Sequence, residues 1–344
     1  MFAIALMTAV SLPTLAQQQS FQFGLVGDTG YTARGVEEFK RMVTDINRTD
    51  LAFVVHVGDI MPGANNYTNP AVGAVPCVHE RYKDVYETFQ NVRHPLIYTP
   101  GDNDWTDCHT FAGIEVGPME ALAKVRAMFF PEGRSLGQRT IPVISQAADP
   151  KFTKFRENLR WSMGSVTFAT LHIVGSNDNF GRTPEMDAES VERKAANIAW
   201  LRLAFAQAKT DRSHGLVLLT QANPSFENHW PAGQKTTYLQ MIPGTQPPAQ
   251  PSASAFDDYV KALIEEVEVY EKPVAFLHGD THRYRIDQPL FSAKSNRRFQ
   301  NFVRVETFGN PDTHWVRVTI DPANPQLFRF DPQIISENVL PRTR

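Results

Sequence analysis

Four Gly-Asp pairs, each at the end of an apolar run, are the residues in this sequence best placed to do chemistry. They stand in the segments FQFGLVGDTG (21–30), AFVVHVGDI (52–60), PLIYTPGDND (95–104) and PVAFLHGDTH (273–282). Glycine lets the chain turn sharply where a strand ends, and the aspartate that follows can point into the crevice beyond the carboxyl ends of the strands. Four carboxylates converging there could not all stay ionised without cations. The pattern therefore predicts a divalent-metal site, and the alternative is that each aspartate only caps the next turn or helix.

Apolar strand-like runs alternate with stretches of helical periodicity along the chain. Strands are predicted near residues 21, 52, 96, 166, 215, 274, 302, 314 and 326, where Val, Phe, Ile and Leu cluster. Helices are predicted over 33–48, 79–91, 118–130, 189–208 and 255–271. The early alternation favours parallel strands, whereas the uninterrupted strands after residue 300 favour antiparallel pairing, so the sheet should be mixed. Loops are predicted at 61–77 and 243–254, which are rich in proline and small residues.

The order of the motifs resembles that of the calcineurin-like metallophosphoesterases: an Asp motif, a Gly-Asp motif, Gly-Asn-His-Asp/Glu, a lone His, and then Gly-His-x-His. The segment GDTG is similar to the Gly-Asp-x-Gly of the purple acid phosphatase branch and gives Asp28, and GDIM gives Asp59. The resemblance covers residues 21 to about 320. It implies an α/β fold, a four-layer α/β/β/α sandwich with mixed sheets, in a single domain over 21–335.

Several residues at the motif positions differ from those of the family. The segment GDNDW places Asp102 where the family has its Asn ligand and Asn103 where it has a proton-donating His. QANP places Gln221 at the lone His, and GDTH keeps His282 but has Asp280 at the other ligand His. In the purple acid phosphatase branch a tyrosine follows the second Asp by three residues. That position is Pro62 here, so no iron-tyrosinate chromophore is implied.

The resemblance implies two divalent metal ions as cofactors. One would bind Asp28, Asp59 and His282, and the second would bind Asp59, Asp102, Gln221 and Asp280. Oxygen ligands suit Mg²⁺, Mn²⁺ or Ca²⁺, whereas the imidazole-rich sites of the family suit Zn or Fe, so the identity of the metal stays open. Four carboxylates also neutralise two divalent ions, which weakens their attraction for a phosphate dianion unless nearby arginines compensate.

Four further polar residues are candidates for roles in the site. His172 ends the run VTFATLH and could supply the proton donor that is missing at Asn103, or it could be a hydrogen-bonded core histidine. Asn223 could bind phosphate oxygens or stabilise a turn. Arg283 and Arg285 follow His282 and could offset the excess negative charge, or both could be ordinary surface residues.

Two functions follow from the resemblance. The first is a metal-dependent phosphoesterase that hydrolyses a small-molecule phosphate mono- or diester at a dinuclear site. The second is a degenerate relative that binds metal or a ligand without turnover, which the loss of histidine at Asn103 and Gln221 favours. The sequence contains no Walker loop and no paired Cys-x-x-Cys motif.

Composition and the N-terminus bear on partners and location. The net charge is −3, so the chain has no excess of basic residues and a role as a nucleic-acid scaffold is not expected. Residues 1–16 are an apolar stretch ending in Thr-Leu-Ala, which predicts a signal peptide, a secreted or periplasmic protein, and no membrane span in the mature chain. The stretch lacks the usual Lys or Arg, so a mis-set start codon or a disordered N-terminus is the alternative. In an oxidising compartment Cys77 and Cys108 could form a disulfide; two buried thiols are the alternative.

Overall fold

The structure is a computed structural model, and it describes residues 19–63, 76–109, 116–231 and 254–339. The predicted signal peptide at 1–16 lies outside the described residues, as does most of the two predicted loops at 61–77 and 243–254. Among the described residues, no helix has the length and apolar character needed to cross a lipid bilayer.

Five helices occupy the segments whose periodicity predicts them. They are Ala33–Arg48 (α1), His79–Gln90 (α2), Pro118–Phe129 (α3), Pro184–Thr210 (α4) and Asp257–Val267 (α5). Helix α4 begins earlier than the predicted residue 189, because Thr183 caps it by accepting from the Met186 N–H and Pro184 fits the first turn, where no N–H is needed.

Within the described residues, twelve strands form two mixed sheets. They are Phe21–Val26 (β1), Phe53–His56 (β2), Leu96–Tyr98 (β3), Ile144–Ser145 (β4), Leu159–Met163 (β5), Val166–Thr170 (β6), Gly215–Leu219 (β7), Val274–His278 (β8), Arg285–Asp287 (β9), Phe302–Glu306 (β10), Trp315–Ile320 (β11) and Phe328–Gln333 (β12). The order is β12-β11-β1-β2-β3 in one sheet and β4-β5-β6-β7-β8-β10-β9 in the other. All nine predicted strands are confirmed; β4, β5 and β9 were not predicted.

Strand direction agrees with the sequence prediction except at β10. Strands β1, β2 and β3 are parallel, as are β6, β7 and β8. Strands β11 and β12 pair antiparallel, as predicted. The prediction of antiparallel pairing after residue 300 holds for β10 on one side only, where it pairs with β9. On its other side β10 runs parallel to β8, because β9 and the segment after it carry the chain back before β10 begins.

The two sheets pack face to face and helices cover their outer faces. Phe53 of β2 lies edge-on to Trp161 of β5 and Phe168 of β6, with ring centroids 5.5 Å and 5.2 Å away. On the outer side of β2, His56 meets Phe39 of α1 and Phe89 of α2. On the other sheet, α4 and α5 pack against β6, β7 and β8 in a second apolar cluster. The predicted α/β/β/α sandwich is confirmed.

The predicted disulfide is also confirmed. Cys77 and Cys108 are bonded, with Cα atoms 5.8 Å apart, and both are buried. Cys108 lies in the short 3₁₀ segment Thr106–His109, directly after the third Gly-Asp turn. The bridge therefore ties that turn to the start of α2.

Candidate metal centre

The Gly-Asp turns all lie at the carboxyl ends of strands, and most of their aspartates have left-handed backbone. The φ angles are 53° at Asp28, 57° at Asp59, 85° at Asp280 and 59° at His282. Non-glycine residues rarely adopt this conformation, and such residues concentrate at functional sites. The turns are also packed closely, since a Cβ on Gly58 would stand 2.5 Å from the backbone nitrogen of Gly101. This close approach brings the second and third turns together.

Asp28, Asp59 and His282 form a compact group of ligand atoms. Each offers one such atom, and the three lie within 4.8 Å of one another. His282 Nδ1 is 2.7 Å from the Asn310 carbonyl oxygen, which can only accept, so Nδ1 carries the hydrogen. The lone pair is then on Nε2, which faces the Asp28 carboxylate at 3.5 Å. This is the usual arrangement of a metal-binding histidine.

Tyr31 completes this cluster and is a residue that the sequence analysis missed. Its hydroxyl donates to Asp59 Oδ2 at 3.0 Å, lies 3.3 Å from His282 Nε2, and accepts from Asn103 Nδ2 at 2.9 Å. The available signal was its place directly after the first Gly-Asp-x-Gly motif. Asn103 also donates its backbone N–H to Asp59 Oδ1 at 3.1 Å, so this predicted catalytic residue does lie in the site.

The remaining predicted ligands lie beside the cluster and are joined by hydrogen bonds. Gln221 Nε2 donates to Asp59 Oδ2 at 3.2 Å and to Asp102 Oδ1 at 3.0 Å. The Asp280 N–H donates to Asp28 Oδ1 at 3.0 Å, and Asp280 Oδ2 accepts from the Asn223 N–H at 2.8 Å. All six predicted metal-binding side chains are thus brought to one edge of the two sheets.

Asn223 and Arg283 are placed less favourably for their predicted role in substrate binding. The Asn223 side-chain oxygen accepts from the Ser225 N–H at 3.1 Å, which stabilises the local turn. The Arg283 side chain is exposed, and its backbone N–H donates to the buried Glu306. Arg285 lies 2.7 Å from the other oxygen of Glu306, so its charge is partly neutralised there.

His172 lies in the core and away from the cluster. It is fully buried, Trp105 Nε1 donates to its Nε2 at 3.1 Å, and its Nδ1 is 2.8 Å from Glu157 Oε1. Burial lowers the pKa of His172, despite the opposing effect of Glu157. Both ring nitrogens are therefore engaged in a neutral imidazole, which favours the structural alternative for this residue.

A left-handed turn borders the site. Four consecutive residues from Ser176 to Asn179 have φ between 51° and 64°. The buried Arg193 holds this turn by contacting the Asp178 side chain and backbone oxygen and the His172 carbonyl. Ser176 Oγ lies 2.8 Å from Asp102 Oδ2 and 2.9 Å from Asp107 Oδ1. Ser176 was not predicted, because its role depends on this turn conformation.

Asp104 fixes the second and third turns relative to each other. One carboxylate oxygen accepts from the Ile60 N–H at 2.8 Å. The other accepts from the N–H groups of Asp59 and Gly101, at 3.1 Å and 2.7 Å, and from the Tyr98 hydroxyl at 2.7 Å. Asp104 is fully buried, so these four donors replace the water that the carboxylate has lost.

The electrostatics of the cluster favour a bound cation. Burial raises the pKa values of Asp28, Asp59 and Asp280 well above that of an ordinary aspartate, and the charges of the neighbouring carboxylates raise them further. Burial likewise raises the pKa of Asp102 to about 6, with the charge of Asp107 as the next cause. Burial lowers the pKa of His282, which keeps the imidazole neutral. A cation among these groups would compensate the desolvated negative charge.

Comparison with known proteins identifies the fold. No protein-family model matches the sequence, and no curated protein sequence matches it. The solved structure of PhoD matches with 15% identity and a TM-score of 0.50 over 89% of this chain and 65% of the PhoD chain. This chain therefore spans slightly less than two thirds of the length of PhoD.

Two further solved structures are similar at lower scores. A 5'-nucleotidase from Candida albicans matches with 9% identity and a TM-score of 0.42 over 92% of this chain and 52% of that one. A phosphatase from Mycoplasma pneumoniae matches with 9% identity and a TM-score of 0.40, over 93% and 96% of the two chains. The likeness to PhoD, together with the sandwich of two mixed sheets, shows that this chain has the calcineurin-like phosphoesterase fold.

Proposed function

We propose that this chain, which has the calcineurin-like phosphoesterase fold, is a metal-dependent hydrolase of small-molecule phosphate esters. The observation that carries the proposal is the cluster of Asp28, Asp59 and His282, whose ligand atoms lie within 4.8 Å of one another. The cluster lies at the carboxyl ends of strands, which is where ligands bind in open α/β sheets.

The geometry of the cluster fits a divalent ion. Ligand atoms at about 2.1 Å from one ion lie roughly 3.0 to 3.4 Å apart in octahedral or tetrahedral arrangements. His282 Nε2 lies 3.5 Å from Asp28 Oδ1, close to this range, and the three ligand atoms lie within 4.8 Å of one another. Two carboxylates and a neutral imidazole suit Mn, Mg, Fe or Zn, and the identity of the metal is left to experiment. When bound, such an ion supplies the positive charge that attracts and polarises a phosphate group.

The residues around the cluster set how a substrate reaches it. The Asp28 side chain is fully buried, whereas the His282 side chain is 27% exposed, so access is from the His282 side. Ser176, Asn223 and Asp280 are partly buried on neighbouring turns. This limited access suits the phosphate group of a small molecule.

Hydrolysis of an aryl phosphate and of its diester tests the proposal. The chain is stripped with a chelator, and Mn²⁺, Mg²⁺, Zn²⁺ and Fe are added back singly. We expect turnover that depends on metal, is lost in Asp28→Asn and His282→Ala, and is kept in the control Asp149→Asn, because Asp149 is exposed. Absence of metal-dependent hydrolysis of both esters would contradict the proposal.

A second candidate is binding without turnover, which one observation favours. The position of the family's proton donor holds Asn103, whose amide donates to Tyr31, and the alternative donor His172 is fully buried with both nitrogens engaged. Neither group is placed to protonate a leaving group. Asn103→His distinguishes the two candidates: a restored general acid raises the rate by about 10² to 10⁴ in an enzyme, and it leaves a non-catalytic binder inactive.

We also propose that the protein is exported, to the cell exterior or the periplasm. The buried Cys77–Cys108 disulfide supports this, because such bonds persist in oxidising compartments. The apolar N-terminal stretch supports it independently.

A further inference from the structure

The Gln221 side chain lies between two carboxylates that a second metal ion would have to join. Its Nε2 donates to Asp59 Oδ2 at 3.2 Å and to Asp102 Oδ1 at 3.0 Å. An amide nitrogen carries two hydrogens, and these two bonds use both. Gln221 is fully buried, so the amide has no competing contact with solvent.

The orientation of the Gln221 amide is fixed at its other end. Oε1 accepts from the Gly175 N–H at 2.6 Å. A backbone N–H can only donate, so exchanging the amide oxygen and nitrogen would set the NH₂ group against another donor and the oxygen against two carboxylates. To offer its oxygen to a cation between Asp59 and Asp102, the amide would have to rotate and break all three hydrogen bonds.

Asp102 and Asp280 are likewise engaged by donors and by backbone. Ser176 Oγ is 2.8 Å from Asp102 Oδ2, and the Asn223 N–H donates to Asp280 Oδ2 at 2.8 Å. A Cβ on Gly175 would stand 2.6 Å from Asp102 Oδ2 and 2.8 Å from Asp280 Oδ1, so the Gly175 backbone lies against both carboxylates. These oxygens face donors and peptide rather than a shared open position.

The first cluster differs in that its ligand atoms face one another, although its carboxylates also accept hydrogen bonds, from the Tyr31 hydroxyl and the Asp280 N–H among others. The ligand atoms of Asp28, Asp59 and His282 converge, and the His282 lone pair faces Asp28. Within the part of the chain that the structure describes, this is the one group of three or more acidic, histidine or cysteine side chains with the geometry of a metal site.

We propose that the protein binds one divalent cation, at Asp28, Asp59 and His282, and that the Gln221 amide takes the place of a second cation by linking Asp59 to Asp102. The inference rests on the metal centre of the proposed function. It makes Asp59 a ligand of one ion instead of a bridge between two. Asp102 and Asp280 then shape the site without holding metal.

Metal stoichiometry tests this directly. Mn²⁺ is titrated calorimetrically into the chelator-treated full chain, and bound metal is counted by mass spectrometry. We expect one equivalent in the wild type, in Asp102→Asn and in the exposed control Asp149→Asn, and none in Asp28→Asn. Gln221→Glu removes both N–H donors and adds a carboxylate oxygen, so it should raise the stoichiometry to two. Gln221→His also offers a ligand atom. It replaces Gln221→Glu in the titration if circular dichroism shows that Gln221→Glu does not fold.

The outcomes separate this inference from the proposed function. Two equivalents in the wild type, with one lost in Asp102→Asn, would overturn the single-cation centre. One equivalent in the wild type and still one in a folded Gln221 variant would overturn the role of the amide. No Mn²⁺ binding to the wild type removes the proposed function and this inference together. One equivalent without ester hydrolysis removes the proposed function and leaves this inference standing.

Discussion

Replacing Asp104 by asparagine tests how the site is held together. Asp104 accepts four hydrogen bonds, three of them at one carboxylate oxygen and one, from the Ile60 N–H, at the other. The asparagine oxygen can replace only one of the two carboxylate oxygens. In the better orientation it keeps the three bonds, and its NH₂ group then faces the Ile60 N–H, donor against donor.

The expected loss of stability follows from these bonds. A hydrogen bond to a charged acceptor contributes about 1 kcal/mol more than one to a neutral acceptor, so the three retained bonds lose about 3 kcal/mol. The unsatisfied Ile60 N–H costs about 1 to 3 kcal/mol more. Burial raises the pKa of Asp104, so removing its charge relieves some desolvation and offsets part of this loss. We expect a net decrease of about 3 kcal/mol in the free energy of unfolding.

Urea unfolding of the metal-free proteins measures this effect. Asp149→Asn is the matched control, because Asp149 makes one such bond, to the Lys151 N–H at 2.9 Å, on the exposed surface. The control should lie within about 0.5 kcal/mol of the wild type. Asp104→Asn should also weaken binding of Mn²⁺, since the Asp59 turn loses an anchor. A change below about 1 kcal/mol in Asp104→Asn would refute the view that this carboxylate organises the turns.

Three further predictions concern the rest of the molecule. Burial opposes ionisation of Glu157, but the Arg126 charge and the His172 hydrogen bond hold its pKa at about 2 instead of 4.5. The contribution of Glu157 to stability is therefore present above about pH 5 and lost as the pH falls towards 2. In urea unfolding, the free energy of unfolding of the wild type should exceed that of Glu157→Gln by about 3 kcal/mol at neutral pH and by little at pH 2. The double variant Cys77→Ala/Cys108→Ala opens a loop with a sequence separation of 31 residues and should lower the free energy of unfolding by about 3 to 4 kcal/mol in the same assay. Intact mass of the exported protein should place its first residue near Gln17, and a mass that includes residues 1–16 would contradict the predicted signal peptide.

Local patterns were sufficient to predict most of the fold. The nine strands and five helices found from the sequence are segments with a clear pattern of their own, such as the continuous apolar run of β7 and the helical periodicity of α1. Strand β4 has only two residues, and β9 has three, of which the middle one alone is apolar. Neither strand is long enough to show a recognisable hydrophobic pattern. The parallel pairing of β10 depends on the path of the segment before it, which composition does not specify.

The sequence predicted which residues lie together in the site, but it did not predict how they are organised. The Gly-Asp pairs mark strand ends, and strand ends meet at one edge of a sheet, so convergence of the four aspartates followed from sequence. Tyr31, Asp104 and Ser176 owe their roles to contacts across 28, 45 and 74 positions of sequence. The orientation of Gln221 is set by the Gly175 N–H, 46 positions away, and only the folded chain supplies that constraint.

The same turns that gather the carboxylates also solvate them. The Asp280 N–H donates to Asp28, the Asn103 N–H to Asp59, and the Asp59 N–H to Asp104, so the backbone of one turn compensates the charge carried by another. Left-handed backbone costs about 1 to 2 kcal/mol per residue, and it is tolerated here because each turn is held by its neighbours. A cluster stabilised in this way needs less positive charge than four bare carboxylates would, because peptide and amide donors supply part of it. That reciprocity explains how the protein can keep four aspartates together at the strand ends of the two sheets, and it is compatible with the single-cation centre that we propose.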